Sequence, residues 1–290
     1  MGQVMRLAWA ATVGLIAIAG CGGSGDEGGQ SELTGGARPS TTLPQPACVY
    51  NQAYQENYSA DSVADILANA RSCYVLIDPF SSNAARNAIA QMKQNGNIAG
   101  CYISVGTCEE WRDDFDALKP HCVDTAWGEW AGEYFVDQPN PQLVALMNAR
   151  IDRMASWDCD MVEFDNMDWA FDDENRQQYG FRASAAEAVA YYQALCDHVH
   201  GAGMLCMAKN TRREAEGFDG GTFESYVGGI NWWNSSHLKG FLDAGQLGVI
   251  VHYDESDCSA VYSSYQGDYG SGLSFLCEDP AVTGYRHYYE

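Results

Sequence analysis

Eight short apolar or aromatic segments alternate with Ala-rich stretches of helical period across residues 45–290, and no linker interrupts them. This pattern predicts a single α/β domain of the (β/α)8 TIM-type barrel class. No G-x-G-x-x-G turn follows the first segment, which disfavours an open dinucleotide-binding sheet. The chain carries 11 cysteines, all but Cys21 within that domain, so the barrel is expected to contain disulfides.

The predicted strands cover 47–52, 73–78, 98–104, 160–165, 204–209, 218–224, 247–253 and 272–277. Helical stretches fall at 59–70, 82–96, 141–157 and 183–203. Ser59 is placed to cap the first, Gly96 to close the second, and Pro141 after Asn140 to open the third. In the fourth, Ala188, Tyr191, Tyr192 and Leu195 share one apolar stripe. Between 104 and 160 the sequence reads as a rim loop followed by the helix at 141–157.

The N-terminal residues carry a different signal. Arg6 precedes an apolar run at 7–20, too short for a comfortable membrane span but suited to a signal-peptide core. The run ends Ile18-Ala19-Gly20-Cys21, which resembles a lipoprotein cleavage box and implies a signal peptide over 1–20 and lipidation of Cys21. Residues 21–44 are Gly- and Ser-rich and read as a flexible tether. The expectation is an exported cell-envelope lipoprotein attached to a membrane through its N-terminal lipid. Gly22, rather than Asp, points to the outer membrane if the source is Gram-negative.

With 39 acidic against 16 basic side chains, the formal charge of −23 argues against a nucleic-acid partner and fits a neutral or cationic one. The cysteines form no CxxC, and no compact Cys/His cluster occurs, so neither a metal nor a cofactor is expected. Sequence does not give the connectivity of the ten cysteines other than Cys21; Cys108 with Cys122 and Cys258 with Cys277 are the local pairings expected.

The acids concentrate most informatively at 158–175. Strand alternation puts Glu163 and Asp165 on one face and Val162 and Phe164 on the other. If the apolar pair packs under helices, the two acids enter the barrel mouth, Asp165 nearer the C-terminal rim, where barrels place their reactive groups. Glu224, at the end of the sixth predicted strand, is a second rim acid. Two such carboxylates are the minimum for glycoside hydrolysis, one donating a proton to the leaving oxygen and the other attacking the sugar or activating water. Asp78, Tyr102, Ser104, Trp111, Asn166, Lys209, Asn210 and His252 are candidate supporting or substrate-binding residues. Trp127, Trp130, Trp169, Trp232 and Trp233 fall in predicted loops, where their faces could stack on sugar rings.

Several ordered motifs resemble glycoside hydrolase family 114, the endo-alpha-1,4-polygalactosaminidase-like barrels. They are YVLIDPF at 74–80, GCYISVGTCEEWR at 100–112, WGEWAGEYFVD at 127–137, MNARIDRMASWDCDMVEFDN at 147–166 and MAKN at 207–210. The resemblance implies that Asp165, in E-x-D-N, and Glu224 are catalytic, that Glu163 is an inner supporting acid, and that alpha-1,4-linked galactosamine-containing polysaccharide is cleaved within the chain with retention. The sequence departs from the family pattern at Phe223, where similar proteins carry Asn before the glutamate. A catalytically weak or inactive carbohydrate-binding envelope lipoprotein is the alternative. The two readings divide at Glu224, which only an enzyme requires. Neither a G-x-S-x-G elbow nor an H-E-x-x-H motif supports another hydrolase class.

Overall fold

The computed structural model describes residues 46–54, 60–211, 217–226, 235–253, 256–277 and 287–288. The expected signal peptide, tether and Cys21, the Ser59 cap, Trp232 and Trp233 lie outside the described residues.

In chain order the elements are β1 (Val49–Asn51), α1 (Ala60–Asn69), β2 (Tyr74–Ile77), α2 (Asn83–Gln94), β3 (Ile98–Ser104), β4 (Thr107–Glu109), α3 (Phe115–Leu118), β5 (Glu133–Phe135), α4 (Pro141–Ser156) and β6 (Met161–Asp165). There follow α5 (Asp173–Tyr179), α6 (Ala185–Gly201), β7 (Leu205–Lys209), β8 (Gly220–Tyr226), α7 (Ser235–Asp243), β9 (Leu247–Tyr253), α8 (Cys258–Tyr269), β10 (Ser274–Cys277) and β11 (His287–Tyr288). The strands β1-β2-β3-β6-β7-β8-β9-β10 pair in parallel, in that order, and β11 adds antiparallel to β10. The result is a nearly closed eight-stranded parallel barrel. At the seam, Ala47 N–H donates to Ser274 Oγ at 2.9 Å, linking the start of the first strand to the last parallel one.

Alternation along the strands builds two apolar layers. Val49, Leu76, Met161, Met207, Val249 and Leu276 fill the barrel interior, while Ile77, Val162, Phe164, Ala208 and Phe275 pack outward with the helices. Full burial of each such aliphatic or aromatic side chain stabilises by about 1.5–3 kcal/mol, so a register slip by one residue would be costly in every strand. Register also sets the site: Tyr102 lies beside Glu163, Ser104 beside Asp165, and Lys209 beside Thr222.

The helices begin where their caps allow. Asn140 accepts from Gln142 N–H and Leu143 N–H ahead of Pro141, and Ser184 with Glu187 forms a capping box on α6. Gly96 follows the last turn of α2 with φ +81°, a backbone region glycine enters without Cβ strain.

All eight predicted strands are present, those at 98–104 and 247–253 with the expected ends and the others with shifted ones, and the helix expected at 141–157 is α4, but the rim loop ahead of it needs correction. β4 and β5 form an antiparallel hairpin there, with Glu109 opposite Glu133. Its strands are three residues each, and no short turn signal joins them.

Four disulfides staple the domain: Cys48–Cys73, Cys101–Cys159, Cys108–Cys122 and Cys258–Cys277. The two local pairings expected from sequence, Cys108–Cys122 and Cys258–Cys277, are both formed. Cys196 and Cys206 are buried free thiols, and Cys196 Sγ lies 4.0 Å from His200 Nε2. Among the described residues no helix is long and apolar enough to cross a membrane.

Candidate active site

The C-terminal rim gathers ionisable groups from five neighbouring strands, β3, β6, β7, β8 and β9. Asp165, the last residue of β6, accepts from Tyr102 OH at 2.7 Å and from Asn166 N–H at 2.7 Å. Glu224, on β8, accepts from Asn210 Nδ2 at 2.6 Å and from Tyr253 OH at 2.6 Å. Between them stands Lys209, whose Nζ lies 3.1 Å from Asp165 Oδ2 and 3.2 Å from Glu224 Oε2. Contact with one nitrogen caps the separation of those two oxygens at about 6.3 Å.

Lys209 is buried, and its Nζ also sits 3.9 Å from the centroid of the Tyr54 ring. Burial alone would pull its ammonium down, but Asp165, Glu224 and Glu163 together hold it well above the usual lysine range. Glu163, one layer below Asp165, is fully buried and accepts from Thr222 Oγ1 at 2.7 Å and from Tyr54 OH. Desolvation pushes Glu163 up to about 7, against the opposing pull of Lys209 and the two hydroxyl donors. A buried acid of that kind supports the layer above it without adding a full charge at neutral pH.

Two asparagines use the left-handed backbone to serve the carboxylates. Asn166 has φ +57° and Asn210 has φ +51°, a region open to Asn at modest cost. Asn210 both donates to Glu224 Oε2 and accepts Glu224 N–H through Oδ1 at 2.9 Å. The amide partner of Glu224 is thus Asn210, immediately after β7, while position 223 holds a buried Phe223.

The structure brings together Asp165, Glu224, Glu163, Tyr102, Lys209, Asn210, Asn166 and, beneath Asn166, Ser104. Three other predicted residues stand apart from this cluster. Asp78 is buried and receives Arg112 Nη1 at 2.9 Å, tying the hairpin to the end of β2. Trp111 is 48% exposed on the hairpin. His252 alternates with inward Val251 and so faces outward, its Nδ1 3.2 Å from Tyr265 OH of α8; it is a packing residue in this fold. Trp169, read as a loop aromatic, is instead 2% exposed in the core, with Nε1 donating to Val136 O. Trp127 is half-buried against Phe135, whereas Trp130 is 53% exposed.

Sequence reasoning missed Tyr54, Thr222 and Tyr253. For Tyr253 the signal existed, since it continues the inward alternation of Val249 and Val251 to the rim. Tyr54 had none, because it lies past the end of β1. Among the described residues no group of three or more His, Cys, Asp or Glu side chains could hold a metal ion.

A parallel barrel whose C-terminal rim sets two carboxylates around one ammonium has the parts of a glycoside hydrolase. The chain belongs to glycoside-hydrolase family GH114, whose family model matches residues 40–290. No curated protein sequence matches it. Among solved structures, Ega3 of Aspergillus fumigatus in complex with galactosamine aligns with a TM-score of 0.64 at 19% identity, covering 86% of this chain and 99% of that one. The glycoside hydrolase domain of PelA from Pseudomonas aeruginosa aligns with a TM-score of 0.56 at 16% identity, over 83% and 97% of the two chains. Isomalto-dextranase from Arthrobacter globiformis T6 aligns at 0.53 and 10% identity, over 81% of this chain and 52% of that one. At these identities the likeness is one of fold.

Proposed function

We propose that this glycoside hydrolase is endo-acting and cleaves alpha-1,4-linked galactosamine-containing polysaccharide, with Asp165 as nucleophile and Glu224 as general acid and then base. The observation that carries this reading is the shared contact of both carboxylates with Lys209 Nζ, at 3.1 and 3.2 Å. The resulting limit of about 6.3 Å between their facing oxygens accommodates the roughly 5–5.5 Å separation of retaining pairs, and retention itself is taken from the family resemblance.

In the first step a carboxylate oxygen of Asp165 bonds to the anomeric carbon as the glycosidic C–O bond breaks, and the leaving oxygen takes the proton of Glu224. In the second, Glu224 removes a proton from water, the water oxygen bonds to the anomeric carbon, and Asp165 departs as carboxylate. Tyr102, Asn166 N–H and Lys209 stabilise the charge that returns to Asp165. A formal charge of −23 supports a cationic amino-sugar polymer as substrate, and the galactosamine bound to Ega3 is consistent with that choice. The N-terminal sequence supports export and attachment to the cell envelope through a lipid on Cys21.

The test is digestion of polygalactosamine and its N-acetylated form by the wild-type protein and by Asp165→Asn and Glu224→Gln. New reducing ends with a rapid fall in polymer length are expected from the wild type, and losses of about 10²–10⁴-fold from folded variants. Wild-type cleavage by Glu224→Gln would reject its role, and binding without new ends would reject catalysis on this polymer.

A further inference from the structure

The hairpin carries a buried acid that the proposed reaction does not use. Glu133, on β5, is 6% exposed and lies opposite Glu109. The two acids are treated differently. Glu109 takes Arg112 Nη2 at 2.6 Å and faces Arg150 Nη1 at 3.7 Å, whereas Glu133 forms no ion pair among the described residues. Instead Glu133 Oε2 accepts from Thr107 Oγ1 at 2.7 Å and from Asn166 Nδ2 at 3.5 Å. Thr107 Oγ1 is 2.6 Å from Ser104 Oγ, which itself accepts from Asn166 Nδ2 at 2.9 Å. Asn166 Nδ2 is also 3.3 Å from Thr107 Oγ1, so three oxygens converge on one carboxamide.

That carboxamide belongs to the residue whose N–H holds Asp165 Oδ1 at 2.7 Å in a left-handed backbone. The approach leaves no slack: a Cβ at Gly106 would fall 1.9 Å from Asn166 O. We infer that Glu133 is a positioning residue for the reaction, fixing the Asn166 side chain through Thr107 and Ser104 and thereby holding Asn166 N–H on Asp165.

The environment supplies the matching protonation state. Burial first, then the charge on Glu109, pushes Glu133 up to about 8, with Asp165 adding to the rise and Thr107 and Arg112 opposing it. Tyr102, on β3, also senses its charge. Near neutral pH the acid is protonated and offers a carbonyl oxygen to Thr107 and Asn166 without setting a second anion beside Asp165. A glutamine amide offers the same oxygen.

This inference rests on Asp165 being the nucleophile, and its test compares Glu133→Ala with Glu133→Gln. Glu133→Ala should lower kcat at least about 10-fold with KM within about 3-fold, and Glu133→Gln should recover most of that loss. In crystal structures of the two variants, the Asn166 N–H contact to Asp165 should be lost or lengthened in the first and kept in the second. A Glu133→Ala protein with kcat within twofold of wild type, or a Glu133→Gln protein as impaired as Glu133→Ala, would overturn the inference. If the wild type cleaves no amino-sugar polymer, the substrate reading fails separately. The crystallographic comparison then decides, and an undisturbed Asn166–Asp165 contact in Glu133→Ala overturns the positioning role.

Discussion

Among the described residues Lys209 is the cation in contact with both rim carboxylates, and its burial makes it a structural as well as a chemical element. Lys209→Met should destabilise the domain by about 3–5 kcal/mol at pH 7 in urea unfolding, because it leaves buried acids without their counter-charge. A change under about 1 kcal/mol would mean that Tyr102, Asn166 and Asn210 alone suffice. At this scale the sequence was legible where alternation governs. Glu163 and Asp165 point inward because Val162 and Phe164 pack outward. His252 shows the limit, since the same alternation applied one residue along β9 assigns Val251 to the interior and His252 to Tyr265. Asn166 and Asn210 could be named from their motifs, but their left-handed backbones and their exact hydrogen-bond partners depend on contacts between strands.

Among the elements, strands and long helices announced themselves through period and caps, whereas the β4/β5 hairpin did not. Three-residue strands far apart in sequence carry too little pattern. The hairpin is held instead by tertiary links, namely Cys108–Cys122 and the Arg112 bridge between Glu109 and Asp78. A second link joins the end of α6 to the start of β8, where His200 Nε2 lies 2.8 Å from Asp219 Oδ2. That hydrogen bond, with a further one to Cys196, pushes His200 up to about 10. The folded value is raised above the unfolded one, so its stabilisation is fully present below about pH 6.5 and is lost as pH rises towards 10. His200→Gln should therefore cost about 1–2 kcal/mol at pH 6, and progressively less by pH 9.5, in paired unfolding titrations. A deficit that grows with pH would contradict this sign.

For the whole molecule, the barrel places reactive groups at one end and staples much of its chain with cross-links. Cys48–Cys73 joins the starts of the first two strand segments, and Cys101–Cys159 ties β3 to the approach to β6. In the chain-entropy account each such link contributes about 3–4 kcal/mol by constraining the unfolded chain. The barrel class, the presence of disulfides and the rim acids were readable from the sequence, since each rests on a local pattern or a count, whereas the Cys48–Cys73 and Cys101–Cys159 pairings were not. The shared ammonium was not, because strand order puts β7 between β6 and β8 but the reach of the Lys209 side chain to both carboxylates is set by tertiary packing. That arrangement underlies the central claim, a double displacement at Asp165 and Glu224, and stereochemistry tests it most directly. Proton NMR of the anomeric signals during the first minutes of polygalactosamine hydrolysis should show the alpha-configured reducing end forming first, followed by slow mutarotation. Initial appearance of the beta anomer would contradict the account, because it would require direct attack by water across a wider pair.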